Sequence, residues 1–195
     1  MAPTSRFWRR LIPVVSNPRG LAIDRLLMRA TGHSLIGRAY LRAGGAYAGG
    51  TLARDVAYLI EQGERQSLPV PLVRGVQASN DAHRGWAYDA LHRLLPSLEG
   101  ARIAVLGLTY KPGTSTLRRS SSLEIIRELV KQGARVKACD PKADMNEVKE
   151  HIEFEFCADA YKVAEKSDAL VLITEWPEFK NLDYDRIKKA MKTPV

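Results

Sequence analysis

Two cysteines, Cys139 and Cys157, are all that 195 residues contain, and no C-x-x-C pair or cysteine–histidine cluster accompanies them. Both sit in apolar, strand-like contexts, so buried structural thiols are the reading, ahead of a disulfide or a metal ligand, and a reducing cytoplasm suits them. No apolar run approaches the roughly 18 residues of a membrane span. The opening from Arg6 to Val15 has too short an apolar core and no small-residue cleavage pattern for a signal peptide, which leaves weak interfacial adhesion at most. Runs of five like charges are missing, as are basic stretches interleaved with stacking aromatics, so the net charge of +8 does not read as nucleic-acid binding. Residues 1–100 hold no lysine at all but 13 arginines against 7 acids, whereas residues 101–195 hold 6 arginines, 11 lysines and 15 acids. The halves differ in composition. Neither G-x-G-x-x-G after a strand nor G-x-x-x-x-G-K-[ST] occurs, which removes the two common phosphate fingerprints.

What is present is a core-forming 45% of apolar residues and one loop that announces chemistry. Ile103 to Leu106 is an apolar block of strand length, Gly107 to Thr116 is rich in breakers and hydroxyls, and Leu123, Ile126, Leu129 and Val130 recur at helical spacing. A polar loop at a strand's carboxyl end, ahead of a helix amino terminus and carrying Lys111, Arg118 and Arg119, points to an anion, phosphate foremost. A ligand-free reading stands beside it: Ser121 and Glu124 fit a capping box.

In chain order, residues 1–20 read as an irregular arm with three prolines. Helical spacing follows from Leu21 to near Gly32 and from Leu35 to Leu41. Residues 43–51 place four glycines in nine positions, a density that lets backbone approach a ligand or another chain closely. Leu52 to Ile60 is helical, Ser67 to Pro71 breaks it, and Leu72 to Leu95 reads as one long helix with His83 and His92 on its surface. Pro96 to Gly100 is a linker. Beyond it strands at 102–106, 135–139, 152–156 and 169–173 alternate with helices at 120–132, near 143–150, near 158–166 and at 183–191. That alternation predicts a parallel, doubly wound α/β sheet. Gly133 is placed to end the first of these helices. Asp140, after the second strand, stands where a ribose-binding acid stands in a Rossmann unit, although a turn-forming Asp-Pro is the preferred reading.

The string AVLGLTYKPGTSTLRRSSSLEIIRELVKQGARVKACDPKA closely resembles the start of the carboxyl-terminal domain of the nucleotide-sugar dehydrogenases, the UDP-glucose and GDP-mannose dehydrogenase family. LVLITEWPEF at 170–179 resembles a later strand and turn of the same domain. YLRAGGAYAGGTLARD, at 40–55, is similar to that family's active-site signature. Three parts are implied: the arm at 1–20, a helical central region at 21–99 that helps form a homodimer, and a Rossmann-like nucleotide-sugar-binding domain at 100–195.

The resemblance also implies roles. Tyr40, Tyr47, Gly49, Tyr110 and Lys111 would contact a UDP-sugar, Arg118 would reach toward NAD, and Asp55 would stand beside the nucleophile. Thr51 falls on the family's nucleophilic cysteine, Arg54 on its lysine, Ala46 and Ala48 on glycines, Leu35 near a substrate arginine and Arg119 on a glutamate. The family oxidises a sugar C6 alcohol to the carboxylate with two NAD through thiohemiacetal and thioester intermediates, and a threonine hydroxyl stays protonated unless a base activates it. The implied function is a partial or degenerate UDP-glucose-type dehydrogenase of the cytoplasm, which retains UDP-sugar binding without catalysis and binds no NAD by itself. A non-catalytic assembly protein that dimerises through its helical half is the alternative, and an enzyme completed by a separate NAD-binding chain a third. The stop at Thr193-Pro194-Val195, where the family continues into another strand, raises the expectation of a truncation.

Overall fold

The computed structural model describes residues 45–47, 50–148 and 152–195. The arm at 1–20, the helices expected at 21–32 and 35–41, and the candidate residues Tyr40 and Gly49 lie outside these. The fold that follows is that of the unit Ala46–Val195.

Three helices lead into the sheet. Helix α1 (Thr51–Arg65) buries Val56, Ile60 and Gly63, spaced four and three residues apart and therefore on one face. Gly63 allows the chain to fold back: a Cβ there would lie 2.9 Å from both methyl carbons of Val70. Helix α2 (Pro71–Arg84) starts on a proline at N1, where a missing N–H costs nothing. The long helix expected over 72–95 is in fact two, because Gly85 closes α2 and opens α3 (Trp86–Leu94). Burial accounts for the break. α2 buries only Asn80, whereas α3 buries Ala87, Ala90 and Leu91, and redirecting the chain at Gly85 lays that small-residue face on the sheet's covering helix. The stretch 96–100 is packed rather than loose. Leu95 and Leu98 join the main core, and the Gly100 N–H donates to the Gly133 carbonyl at 2.9 Å.

The sheet is parallel throughout, in the order β3-β2-β1-β4, which is a Rossmann-like α/β arrangement. β1 (Arg102–Leu106) is central, with Ile103 paired to Val136 of β2 (Arg135–Cys139) and to Ala169 of β4 (Ala169–Leu172). Ile103 to Leu106 are at most 1% exposed, as expected of a strand covered on both faces. On one face Ile103, Val105, Val136 and Ala138 pack with Ile126 and Leu129 of α4 (Ser121–Lys131); on the other Ala104, Leu106 and Cys139 pack with Val163, Trp176 and Phe179.

Several boundaries differ from the pattern reading. The cap of α4 is Ser120 rather than Ser121, with Ser120 Oγ accepting from the Ser122 N–H, so the expected capping box does not form. Gly133 ends that helix as anticipated. Its φ is +83°, and the N–H groups of Gly133 and Ala134 reach the carbonyls of Val130 and Leu129 in a Schellman arrangement. The helix expected near 143–150 is a 3₁₀ turn at Met145–Glu147, and the strand expected over 152–156 pairs as β3 only at Glu155–Phe156. Helix α5 (Ala160–Ala164) and the last helix, α7 (Tyr184–Ala190), lie within their expected spans; α6 (Pro177–Lys180) was not anticipated.

Candidate functional site

The carboxyl ends of β1, β2 and β4 converge on one buried carboxylate. Oδ2 of Asp140 accepts from the backbone N–H groups of Leu108 at 2.7 Å and Thr109 at 2.9 Å, from Thr109 Oγ1 at 3.0 Å and from Trp176 Nε1 at 3.0 Å. Its Oδ1 accepts from the Lys142 N–H at 2.9 Å, which is the turn expected of Asp140-Pro141. Thr174 Oγ1 donates to the Thr109 carbonyl at 2.7 Å, closing the connection between β1 and β4. Gly107 has to be glycine twice over: its φ is +94°, and a Cβ would lie 2.5 Å from both the Cβ and the N of Thr174. The root of the loop at 107–109 is thereby fixed.

Its outer part is anchored from a second side. Tyr110 N–H donates to the Thr116 carbonyl at 3.1 Å and Asp144 N–H to the Ser115 carbonyl at 3.0 Å. Glu147 Oε2 accepts from Thr116 Oγ1 at 2.7 Å, Leu117 N–H at 2.8 Å and Arg118 N–H at 3.3 Å. Those donors, the Thr116 hydroxyl first, hold the Glu147 carboxyl below its ordinary range. Between the two anchors Tyr110 and Lys111 project outward, both exposed, and among the described residues Lys111 forms no ion pair.

The start of α1 comes to the same place. A Cβ on Gly50, the residue before Thr51 and α1, would lie 3.6 Å from the Tyr110 hydroxyl, so Gly50 and Tyr110 are neighbours. No side chain caps this helix end. Tyr47 is tied down by Asn80, whose amide oxygen accepts from the Tyr47 N–H at 2.8 Å and whose amide nitrogen donates to the Tyr47 carbonyl at 3.2 Å. Thr51 and Asp55 are exposed, one turn apart on α1, and no hydrogen bond joins them.

Arg118 is positioned otherwise. With Arg119 and Arg127 it edges a hollow of about 430 Å³ floored by Leu117, Leu123 and Val148, and neither Tyr110 nor Lys111 lines it. A larger hollow of about 720 Å³ lies around Arg102, Arg135 and Ser167, at the amino ends of the strands. Ligands of open parallel sheets bind at the opposite end, so the smaller hollow and the Lys111 loop are the candidates. In a Rossmann unit the acid after the second strand takes the ribose of a dinucleotide. Here that acid, Asp140, is 4% exposed with both oxygens engaged inside the protein.

The parts that pattern reading missed are Trp176, Thr174, Glu147 and Asn80. Each acts on residues at least 29 positions away, and only the T-E-W turn after a strand carried a local signal. Among the described residues no group of three or more His, Cys, Asp or Glu side chains suits a metal, and no helix is long and apolar enough to cross a membrane.

Comparison with known proteins bears on the same loop. Residues 104–195 match the family model described as the UDP binding domain of the UDP-glucose/GDP-mannose dehydrogenase family. Over 162 residues the chain is 40% identical to UDP-glucose 6-dehydrogenase of Rhizobium meliloti, covering 82% of this chain and 37% of that protein. It is 34% identical over 164 residues to UDP-glucose 6-dehydrogenase TuaD of Bacillus subtilis, covering 83% and 35%. The chain thus spans little more than a third of these relatives. The solved structure of a UDP-glucose dehydrogenase from the archaeon Pyrobaculum islandicum superposes with a TM-score of 0.73 at 27% identity, over 91% of this chain and 45% of that one.

Proposed function

The chain belongs, through residues 104–195, to the UDP-glucose/GDP-mannose dehydrogenase family, and from that premise we propose that the loop after β1 holds the diphosphate of a UDP-sugar. Lys111 supplies a point charge for phosphate, Tyr110 a ring and hydroxyl for the nucleotide sugar, and Tyr47, with its neighbours Tyr40 and Gly49 in the sequence, the sugar end. One observation carries this reading. The loop is fixed at its root by Asp140 and at its far side by Glu147, while the two side chains between the anchors are left pointing outward. Such an arrangement has its ordering cost met before a ligand arrives.

Residues 1–195 are proposed to bind without oxidising. The family's chemistry needs a thiolate at the place of Thr51, and among the described residues no base is hydrogen-bonded to that hydroxyl. Asp55, one turn along α1, makes no hydrogen bond to it. NAD, the family's oxidant, is assigned no site on this sheet, and Arg118 would meet it only from a separate domain. A cytoplasmic homodimer completes the proposal. Leu52 and Leu59 of α1 and Leu72 and Val76 of α2 are 43–80% exposed, a row of apolar side chains that a second copy would cover.

Calorimetric titration with UDP, UDP-glucose and UDP-glucuronate tests the binding, and absorbance of NADH in the presence of UDP-glucose and NAD tests the chemistry. Heat with all three nucleotides and no NADH is the expected result. Turnover above background would overturn the non-catalytic reading, and no heat with any nucleotide would leave an assembly protein.

A further inference from the structure

Cys139 is the last residue of β2, and Cys157 follows β3 directly. The parallel register pairs Lys137 with Glu155 and Ala138 with Phe156, and the Cys157 N–H carries it one step further by donating to the Ala138 carbonyl at 2.9 Å. The next step sets the two cysteines side by side. They also share a face: Ala138 belongs to the core under α4, whereas Cys139 lies in the opposite core and Cys157 packs against that same cluster. Adjacent strands run about 4.8 Å apart, within the Cα separation of about 4.4–6.8 Å that a disulfide spans. Both thiols are free.

We propose that Cys139 and Cys157 form a cross-strand dithiol that a peroxide oxidises to a disulfide, a covalent modification site at the carboxyl edge of the sheet. Cys157 is the point of entry because it is partly exposed, whereas Cys139 is buried. The Cys157 sulfur attacks hydrogen peroxide, the O–O bond breaks, and Cys157 becomes a sulfenic acid as one water leaves. The Cys139 sulfur then displaces the hydroxyl from the Cys157 sulfur; the S–S bond forms and the Cys139 proton departs with that hydroxyl as a second water. Two thiols and one peroxide give one disulfide and two waters. The Cys139 thiol is pushed up to about 12, by burial first and then by Cys157, Asp140 and Asp159, so it stays protonated at neutral pH and is not the sulfur that meets the peroxide. Closing the bond requires the two Cβ atoms to approach to about 3.5–4.5 Å. β3 is two residues long and lies at the sheet's edge, so the adjustment falls on the least constrained strand.

This inference does not depend on the nucleotide-sugar reading. The full chain is treated with hydrogen peroxide under native conditions, its remaining thiols are alkylated, and it is digested with trypsin without reduction. The expected product links peptide 138–142 to peptide 150–162 with a mass two hydrogens below their sum, and alkylatable thiols fall from two per chain to none. Reduction restores both, and neither Cys139→Ser nor Cys157→Ser yields the product. Persistence of both free thiols would overturn the proposal, as would Cys157 accumulating alone as sulfinic acid, Cys157–Cys157 links between chains, or a bond that closes only in urea.

Discussion

The indole N–H of Trp176 donates to Asp140 Oδ2 and to Thr109 Oγ1, each at 3.0 Å, and so joins the loops after three neighbouring strands at one buried point. Trp176 and Asp140 are 3% and 4% exposed, so no water substitutes easily for either partner. Trp176→Phe keeps most of the packing and removes one donor of several, and a loss of about 1–2 kcal/mol is expected by urea unfolding. Asp140→Ala orphans the buried N–H groups of Leu108 and Thr109 together, and its cost is expected to be on the order of 3 kcal/mol or more.

Gly107→Ala is expected to be at least as damaging. A left-handed φ and a backbone contact at 2.5 Å cannot both be relieved by rotating a side chain, because Thr174 N is part of the obstruction. Destabilisation on the order of 3 kcal/mol is anticipated from strain and overpacking combined, measured as a lower urea midpoint. Gly113→Ala is the control: its φ is also positive, but nothing lies within 4 Å, so only the smaller conformational cost of about 1 kcal/mol applies.

Cys139 makes stability fall at alkaline pH. Its thiol has an ordinary value of 9.0 and is pushed up to about 12 in the fold, so between these values the unfolded chain releases a proton that the folded chain keeps. The thiol's contribution is therefore complete below 9 and lost as pH rises toward 12. Denaturation under reducing conditions at about pH 7 and about pH 10 is expected to show a steeper loss in the wild type than in Cys139→Ala. Equal losses would mean that the buried thiol does not carry this part of the pH dependence.

The apolar row on α1 and α2 has a direct solution test. Leu72 is 80% exposed and Leu59 51%, so charges there cost the isolated fold little. Sedimentation of the wild type is expected to give a dimer and that of Leu59→Glu/Leu72→Glu a monomer with an unchanged circular dichroism spectrum. A monomeric wild type would remove the homodimer from the proposal.

The strands and the long helix after β1 were legible because their signals are local. Ile103 to Leu106 is apolar without interruption because both faces are covered, and the spacing of Ile126 and Leu129 follows the single buried side of α4. The break at Gly85 was not legible, since glycine inside a helical pattern is tolerated and only the different burial of α2 and α3 turns it into a corner. Pro96 to Gly100 reads as a linker by composition, yet Leu98 is 3% exposed in the common core. Asp140 shows the same limit at the candidate site. As a neighbour of Pro141 it reads as a turn residue, which it is, but its four bonds through Oδ2 come from residues 31 to 36 positions away and depend on how β1, β2 and β4 come together. Lys111 and Tyr110 were found because the loop chemistry around them is sequential; their fixed footing is tertiary.

The central claim is that a prearranged loop presents Lys111 to a nucleotide diphosphate, and calorimetric titration of UDP into the wild type and Lys111→Ala tests it most directly. Lys111 is exposed and makes no ion pair among the described residues, so the substitution leaves folding intact and isolates the ligand contact. UDP is expected to bind the wild type, and to bind Lys111→Ala about tenfold or more weakly, as the loss of a charge-assisted phosphate contact requires. Equal affinity in the two proteins would contradict the claim.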